Sequence, residues 1–144
     1  MVLELKVVGL NENERSHKYI LCAGAEDRII YAVGSIHDSH KNIFESLPDA
    51  KHVFGGGSAC AYSDRLGAYS NRLVLSDYSG AYGGVPKQVL EHFSPDILAA
   101  YQKIWPKLTR VDCRPKEIFE REERLMESWA SLAKRFGIVL EEQK

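Results

Sequence analysis

No apolar run in this chain approaches the ~20 residues needed to span a bilayer, so no stretch reads as a membrane span. An excess of charge of one sign is also missing. The 19 Lys and Arg stand against 20 Asp and Glu, a formal net charge of −1. General nucleic-acid binding usually needs a basic face, and this balance argues against it. Cysteine is scarce and odd in number: Cys22, Cys60 and Cys113, widely spaced. That pattern suits reduced thiols in a cytosolic protein and offers no zinc or redox motif. The first residues, Met1 to Lys6, lack the charged-then-apolar order of a signal peptide, so a cytoplasmic location is expected. There is no internal repeat. A P-loop ending, a G-x-G-x-x-G pattern, a C-x5-R phosphatase loop and a G-x-S-x-G elbow are all absent.

What is present is one domain's worth of chain: 144 residues, 44% hydrophobic, enough to build a core. Val2 to Leu10 alternates and reads as a first strand. Lys18 to Ala23 and Arg28 to Val33 read as two more, joined by a short link at Gly24–Asp27 that suits a hairpin. Ile43, Phe44 and Leu47 then fall on one helical face. Asp38 or Ser39 is placed to cap that helix, and Pro48 stops it. Lys51 to Phe54 reads as a short strand that Gly55-Gly56-Gly57 breaks or bulges before Ala59 to Tyr62. Arg72 to Tyr78 is a further strand, Val85 to Trp105 is mostly helical with a break at Ser94-Pro95, and Leu108 to Cys113 is a last strand. From Lys116 to Phe136 an apolar stripe follows helical spacing, through Ile118, Phe119, Leu125, Met126, Trp129, Leu132 and Phe136, with Gly137 placed to end it. The stripe is read as packing on the sheet of the same chain. The order predicts an α+β fold: a single mixed β-sheet of five or six strands flanked by helices, with an added C-terminal amphipathic helix.

Ser76 to Gly84 is the stretch the rest is organised around. An apolar strand runs into small residues, and these run into a helix. Small side chains let backbone N–H groups approach a ligand, and a helix start leaves unpaired donors, so the stretch can hold a phosphate. It can equally be a tight turn in which Gly supplies a positive φ. His40 falls in a first helical turn, where the imidazolium is disfavoured, and a neutral imidazole can serve as a general base. It can also simply sit on the surface. Lys18 opens a strand; its ammonium can pair with a phosphate or stay solvated. Ser79 offers a hydroxyl donor. His37 and His40 form an H-x-x-H pair without a third ligand at motif spacing, so no metal is expected. Gly55-Gly56-Gly57 reads as a bulge or a close crossing of backbones.

In order, His17-Lys18-Tyr19-Ile20-Leu21, Ser39-His40-Lys41-Asn42-Ile43-Phe44-Glu45, Gly55-Gly56-Gly57-Ser58 and Tyr78-Ser79-Gly80-Ala81-Tyr82-Gly83 resemble the Janus / protein histidine phosphatase family, the last piece being similar to its Tyr-Ser-Met-Ala-Tyr-Gly signature. The resemblance implies a phosphatase-like core over residues 1–113, with 114–144 as a helical extension on the same domain. It implies removal of phosphate from phosphohistidine, or from phospholysine, without metal or other cofactor. By that resemblance His40 is the base, Lys18 lies near the phosphate, and Ser79, Gly80 and Ala81 form the loop that holds it. The implied partner is a phosphorylated protein or peptide, or a small phosphoamidate, with neither nucleic acid nor membrane involved. The competing expectation is a non-catalytic phosphate-recognition or interaction module on the same fold.

Overall fold

A computed structural model describes residues 3–9, 15–26, 28–62, 71–77, 82–121, 124, 132 and 135–137. Six strands form one sheet: β1 (Leu3–Val7), β2 (Ser16–Ala23), β3 (Ile29–Ser35), β4 (His52–Tyr62), β5 (Arg72–Ser76) and β6 (Arg110–Arg114). Their spatial order is β1-β3-β2-β4-β5-β6. The β1–β3 and β5–β6 pairs are parallel and the inner pairs antiparallel, so the sheet is mixed. The β2–β3 pair is the hairpin that the Gly24–Asp27 link predicts. Helix α1 (His40–Glu45) follows β3, and α2 (Lys87–Tyr101) joins β5 to β6. Residues 116–121 are helical again. The α+β class with a single mixed sheet is therefore as expected.

The strand alternation sorts side chains onto two faces. Tyr19, Leu21, Tyr31, Val33, Ala59, Ala61, Leu73 and Leu75 point to the α2 side and form the main core with Leu90, Ile97, Tyr101 and Leu108. Ile20, Cys22, Ile30 and Ala32 point the other way, around Ile43 of α1. Phe119 packs with Cys60 and Val74. Cys60 alternates with the core-facing Ala59 and Ala61, so the 116–121 helix lies on the α1 side. Ile118, one residue away and hence about 100° around the helix, is exposed, as are Leu132 and Phe136. Of the described members of that stripe, only Phe119 is buried on the sheet. Leu125, Met126 and Trp129 lie outside the described residues.

Three local expectations change. The glycines do not interrupt β4, which runs through them. The extra residue sits earlier, at Phe54, where the register with β2 slips between Leu21 and Cys22. Helix α2 passes through Ser94-Pro95 without a break. Pro95 removes only the N–H that would reach the carbonyl of Glu91, and both residues are exposed, so water can serve that carbonyl. The Ser94 Oγ donates back to the Leu90 carbonyl at 2.8 Å, within the continuous helix. Finally, α2 starts at Lys87 rather than directly after the small-residue loop. Val85 is buried in the main core, and residues 83–86 lead into the helix without being part of it. Gly137 does take the positive φ, +66°, expected of a helix-ending glycine.

One polar chain crosses the main core. His17, only 1% exposed, points to the α2 side. Its Nδ1 lies 3.3 Å from the Arg15 carbonyl, which can only accept, so Nδ1 carries the proton. Nε2 then accepts from the Tyr101 hydroxyl at 2.6 Å, and Tyr101 accepts from the Tyr31 hydroxyl at 3.0 Å. Every member is satisfied with the imidazole neutral. Burial pushes the His17 pKa down to about 4.

Candidate functional site

Ser39 is the residue that starts α1. Its backbone is extended and its Oγ accepts from the Asn42 N–H at 3.0 Å. His40 is thereby the first helical residue, as expected, while His37 lies before the cap in an exposed turn. The H-x-x-H pair therefore does not share a helical face. Among the described residues no three His, Cys, Asp or Glu side chains gather as metal ligands would.

From α1 the His40 ring reaches across to β4. Nε2 lies 2.8 Å from the Gly57 carbonyl, so Nε2–H donates and the lone pair is left on Nδ1. The ring packs over Gly56, where an added Cβ would stand 3.3 Å from His40 Cδ2 and 2.6 Å from the Tyr19 carbonyl oxygen. His40 is half-buried, and its pKa is lowered, first by that burial and then by the nearby Lys18 ammonium. The Gly57 hydrogen bond opposes both. The imidazole is thus held neutral near pH 7 in one tautomer, which is the state a general base needs.

Lys18 arrives on β2, on the α1 side with Ile20. Its Nζ donates to the Asp38 carbonyl at 2.7 Å, just ahead of the α1 cap. An ammonium has three donors and this contact uses one. Lys18 and His40, 22 residues apart in sequence, thus meet at one place, brought there by the β2–β4 pairing and by the short α1.

The glycines of β4 are where backbones cross. A Cβ at Gly55 would meet the Gly84 carbonyl oxygen at 2.6 Å, and one at Gly57 would meet the Ser76 carbonyl oxygen at 2.3 Å. No side chain fits at either position without displacing backbone. The Gly56 N–H reaches the Gly83 carbonyl at 3.3 Å, and the Val85 N–H reaches Asp77 at 2.9 Å. Tyr82 sets its ring edge-on to Phe44 of α1, with centroids 6.3 Å apart. The described flanks of the small-residue loop are therefore both tied in, Asp77 to Val85 and Tyr82 to Phe44 of α1. Ser79, Gly80 and Ala81, expected to hold phosphate, lie outside the described residues.

Three neighbours of the Lys18–His40 pair carry little signal in the sequence. The Gly57 carbonyl orients His40, and the glycine run was the available signal, since a close crossing was one of its readings. The Asp38 carbonyl anchors Lys18, and no pattern marks a backbone acceptor. Ser58, next to Gly57, stands opposite Lys18 in the β2–β4 register. Compared with known proteins, the chain matches no protein-family model and no curated protein.

Proposed function

We propose that this protein is a metal-independent phosphoamidase. It hydrolyses phosphohistidine, or phospholysine, on a protein or peptide in the cytoplasm, with His40 as general base and Lys18 and the Ser79–Ala81 loop holding phosphate. The observation that carries the reading is the meeting of Lys18 with a neutral His40 whose Nδ1 is open. Its support is chemical. A P–N bond is reactive, so positioning and charge neutralisation can suffice without a metal. Water attacks phosphorus while His40 Nδ1 takes its proton. The P–N bond breaks, its electron pair leaves with nitrogen, and a proton is returned to that nitrogen. The products are inorganic phosphate and the free amine or imidazole. The resemblance to the Janus / protein histidine phosphatase family supports the same roles, and three buried cysteines joined in no disulfide accord with a reducing compartment.

The test is turnover of a phosphohistidine peptide by wild type, His40→Ala and Lys18→Ala, in the presence and absence of chelator. Wild type is expected to turn over and to be indifferent to chelator. His40→Ala is expected to lose ~10²-fold or more in kcat while still binding phosphate. Lys18→Ala should weaken binding and turnover together, because it removes a charge felt in ground and transition states alike. A wild type that binds phosphate but hydrolyses no phosphoamidate would establish the recognition module instead, and a fully active His40→Ala would remove the proposed base.

A further inference from the structure

We propose that the open edge of β1 and the groove beside it form an interface for a second copy of this chain, the two β1 strands pairing antiparallel about a twofold axis at Leu5. β1 ends the sheet, and among the described residues β3 is its only strand partner. The Val8 N–H reaches the Val33 carbonyl at 2.8 Å. Successive residues of a strand turn their backbone groups to opposite sides. Glu4 and Lys6 therefore use theirs toward β3, and Leu3, Leu5 and Val7 present theirs to the open edge. β1 reads Leu-Glu-Leu-Lys-Val, with neither proline nor bulge, two usual guards of such an edge.

Rotation about Leu5 brings this strand into register with itself. Leu5 meets Leu5 and Leu3 meets Val7, and each such pair exchanges two backbone hydrogen bonds. Glu4 then falls opposite Lys6 of the other copy, in the closer pairs where opposite charges attract. Within one chain Glu4 and Lys6 lie 2.8 Å apart; across the axis each gains a second opposite charge. Val7, 48% exposed, is covered by Leu3 of the other copy. The far edge of the sheet does not fit the same rotation. β6 reads Arg-Val-Asp-Cys-Arg, so a twofold at Asp112 would set Asp112 against itself and Arg110 against Arg114.

The groove agrees independently. About 700 Å³ in volume, it lies between β1 and α2, lined by Leu3 and Leu5 on one side and by Asp96, Ala99, Ala100 and Lys103 on the other. These four share one face of α2, at i, i+3, i+4 and i+7. The rotation that pairs β1 with its copy also sets α2 antiparallel to its copy. In that direction Asp96 faces Lys103, and the small Ala99 and Ala100 at the midpoint let the two helices approach. The strand and the helix that border the groove are thus self-complementary under one rotation, as an isologous dimer requires. Lys18 stands on β2, with β3 between it and this edge, so both copies keep the candidate site open.

Sedimentation velocity over a concentration series, on full-length protein, reads the association. Wild type is expected to pass from monomer to dimer as concentration rises. Lys6→Glu and Glu4→Lys each set like charges opposite, and each should weaken dimerisation about tenfold or more with unchanged circular dichroism. An equimolar mixture of the two variants should form heterodimers, and both substitutions in one chain should restore the homodimer. Hydrogen-exchange protection of the Leu5 and Val7 amides should fall on dilution. A wild type that stays monomeric at every concentration overturns the proposal, and so does a dimer that both single variants leave intact. Protection at Leu5 and Val7 that persists in the monomer overturns it too, since another segment of the same chain then covers the edge.

Discussion

Acidification should unfold this protein in part through His17, a residue outside the candidate site. Its imidazole is buried, neutral, and already committed on both nitrogens: Nδ1–H to the Arg15 carbonyl, Nε2 to the Tyr101 hydroxyl. Protonation would put a charge among Tyr31, Tyr101 and Trp105, with no anion among the described residues to meet it, and would turn the acceptor at Nε2 into a donor. The folded pKa is accordingly lowered from 6.5 to about 4. The unfolded chain therefore binds a proton more readily than the native one, and stability falls as pH drops. The contribution is whole above about pH 6.5, declines between 6.5 and 4, and is gone below that. At about 1.36 kcal/mol per pH unit, the full loss is ~3 kcal/mol, and the part lost between pH 7 and 5 is ~2 kcal/mol. Urea unfolding at pH 7 and pH 5, followed by circular dichroism, measures it. His17→Gln removes the titration and keeps an acceptor for Tyr101. Between the two pH values wild type should lose ~2 kcal/mol more than the variant, and the His17 ring resonances should stay those of neutral imidazole down to pH 5. Equal losses in the two proteins would refute the argument.

The sheet was legible because its signals are local and redundant. Alternation marked β1; Lys18 to Ala23 and Arg28 to Val33 read as β2 and β3, with a short link marking their hairpin; and Ser39 with Pro48 bracketed α1. Pro95 was misread because a sequence does not say which carbonyl a proline orphans or whether water can reach it; here Glu91 is exposed and the helix continues. The glycine run was legible as a crossing but its place in the register was not, because register depends on what the partner strand offers. Leu21 pairs with Gly55 and Cys22 with Val53, leaving Phe54 over. The site was legible only as separate residues. His40 and Lys18 could be picked out as a base and a cation, yet nothing local says that β2 and β4 are neighbours. That pairing sets Ser58 against Lys18 and brings the Gly57 carbonyl under His40. His17 was invisible as a buried group because its neighbour Tyr101 is 84 residues away.

Gly57→Ala should destabilise the fold by about 3 kcal/mol, the upper part of the overpacking range, because its Cβ would lie 2.3 Å from the Ser76 carbonyl oxygen and 3.0 Å from the Tyr19 hydroxyl. Unchanged urea stability would mean that the strands do not cross this closely. Phe119→Ala should cost ~3 kcal/mol, since Phe119 is 3% exposed between Cys60 and Val74; a variant as stable as wild type would mean that the 116–121 helix is not docked in solution. The pH–rate profile tests the base itself. On the proposed mechanism His40 acts when neutral, and burial and Lys18 lower its pKa from 6.5. With the spontaneous acid hydrolysis of the P–N bond subtracted, the acid limb of kcat/KM should therefore have its midpoint below pH 6.5. Lys18→Ala, which removes one of the two lowering influences, should move the acid limb toward higher pH. An acid limb centred above 6.5 in wild type, or one that Lys18→Ala leaves in place, would assign the titration to some other group.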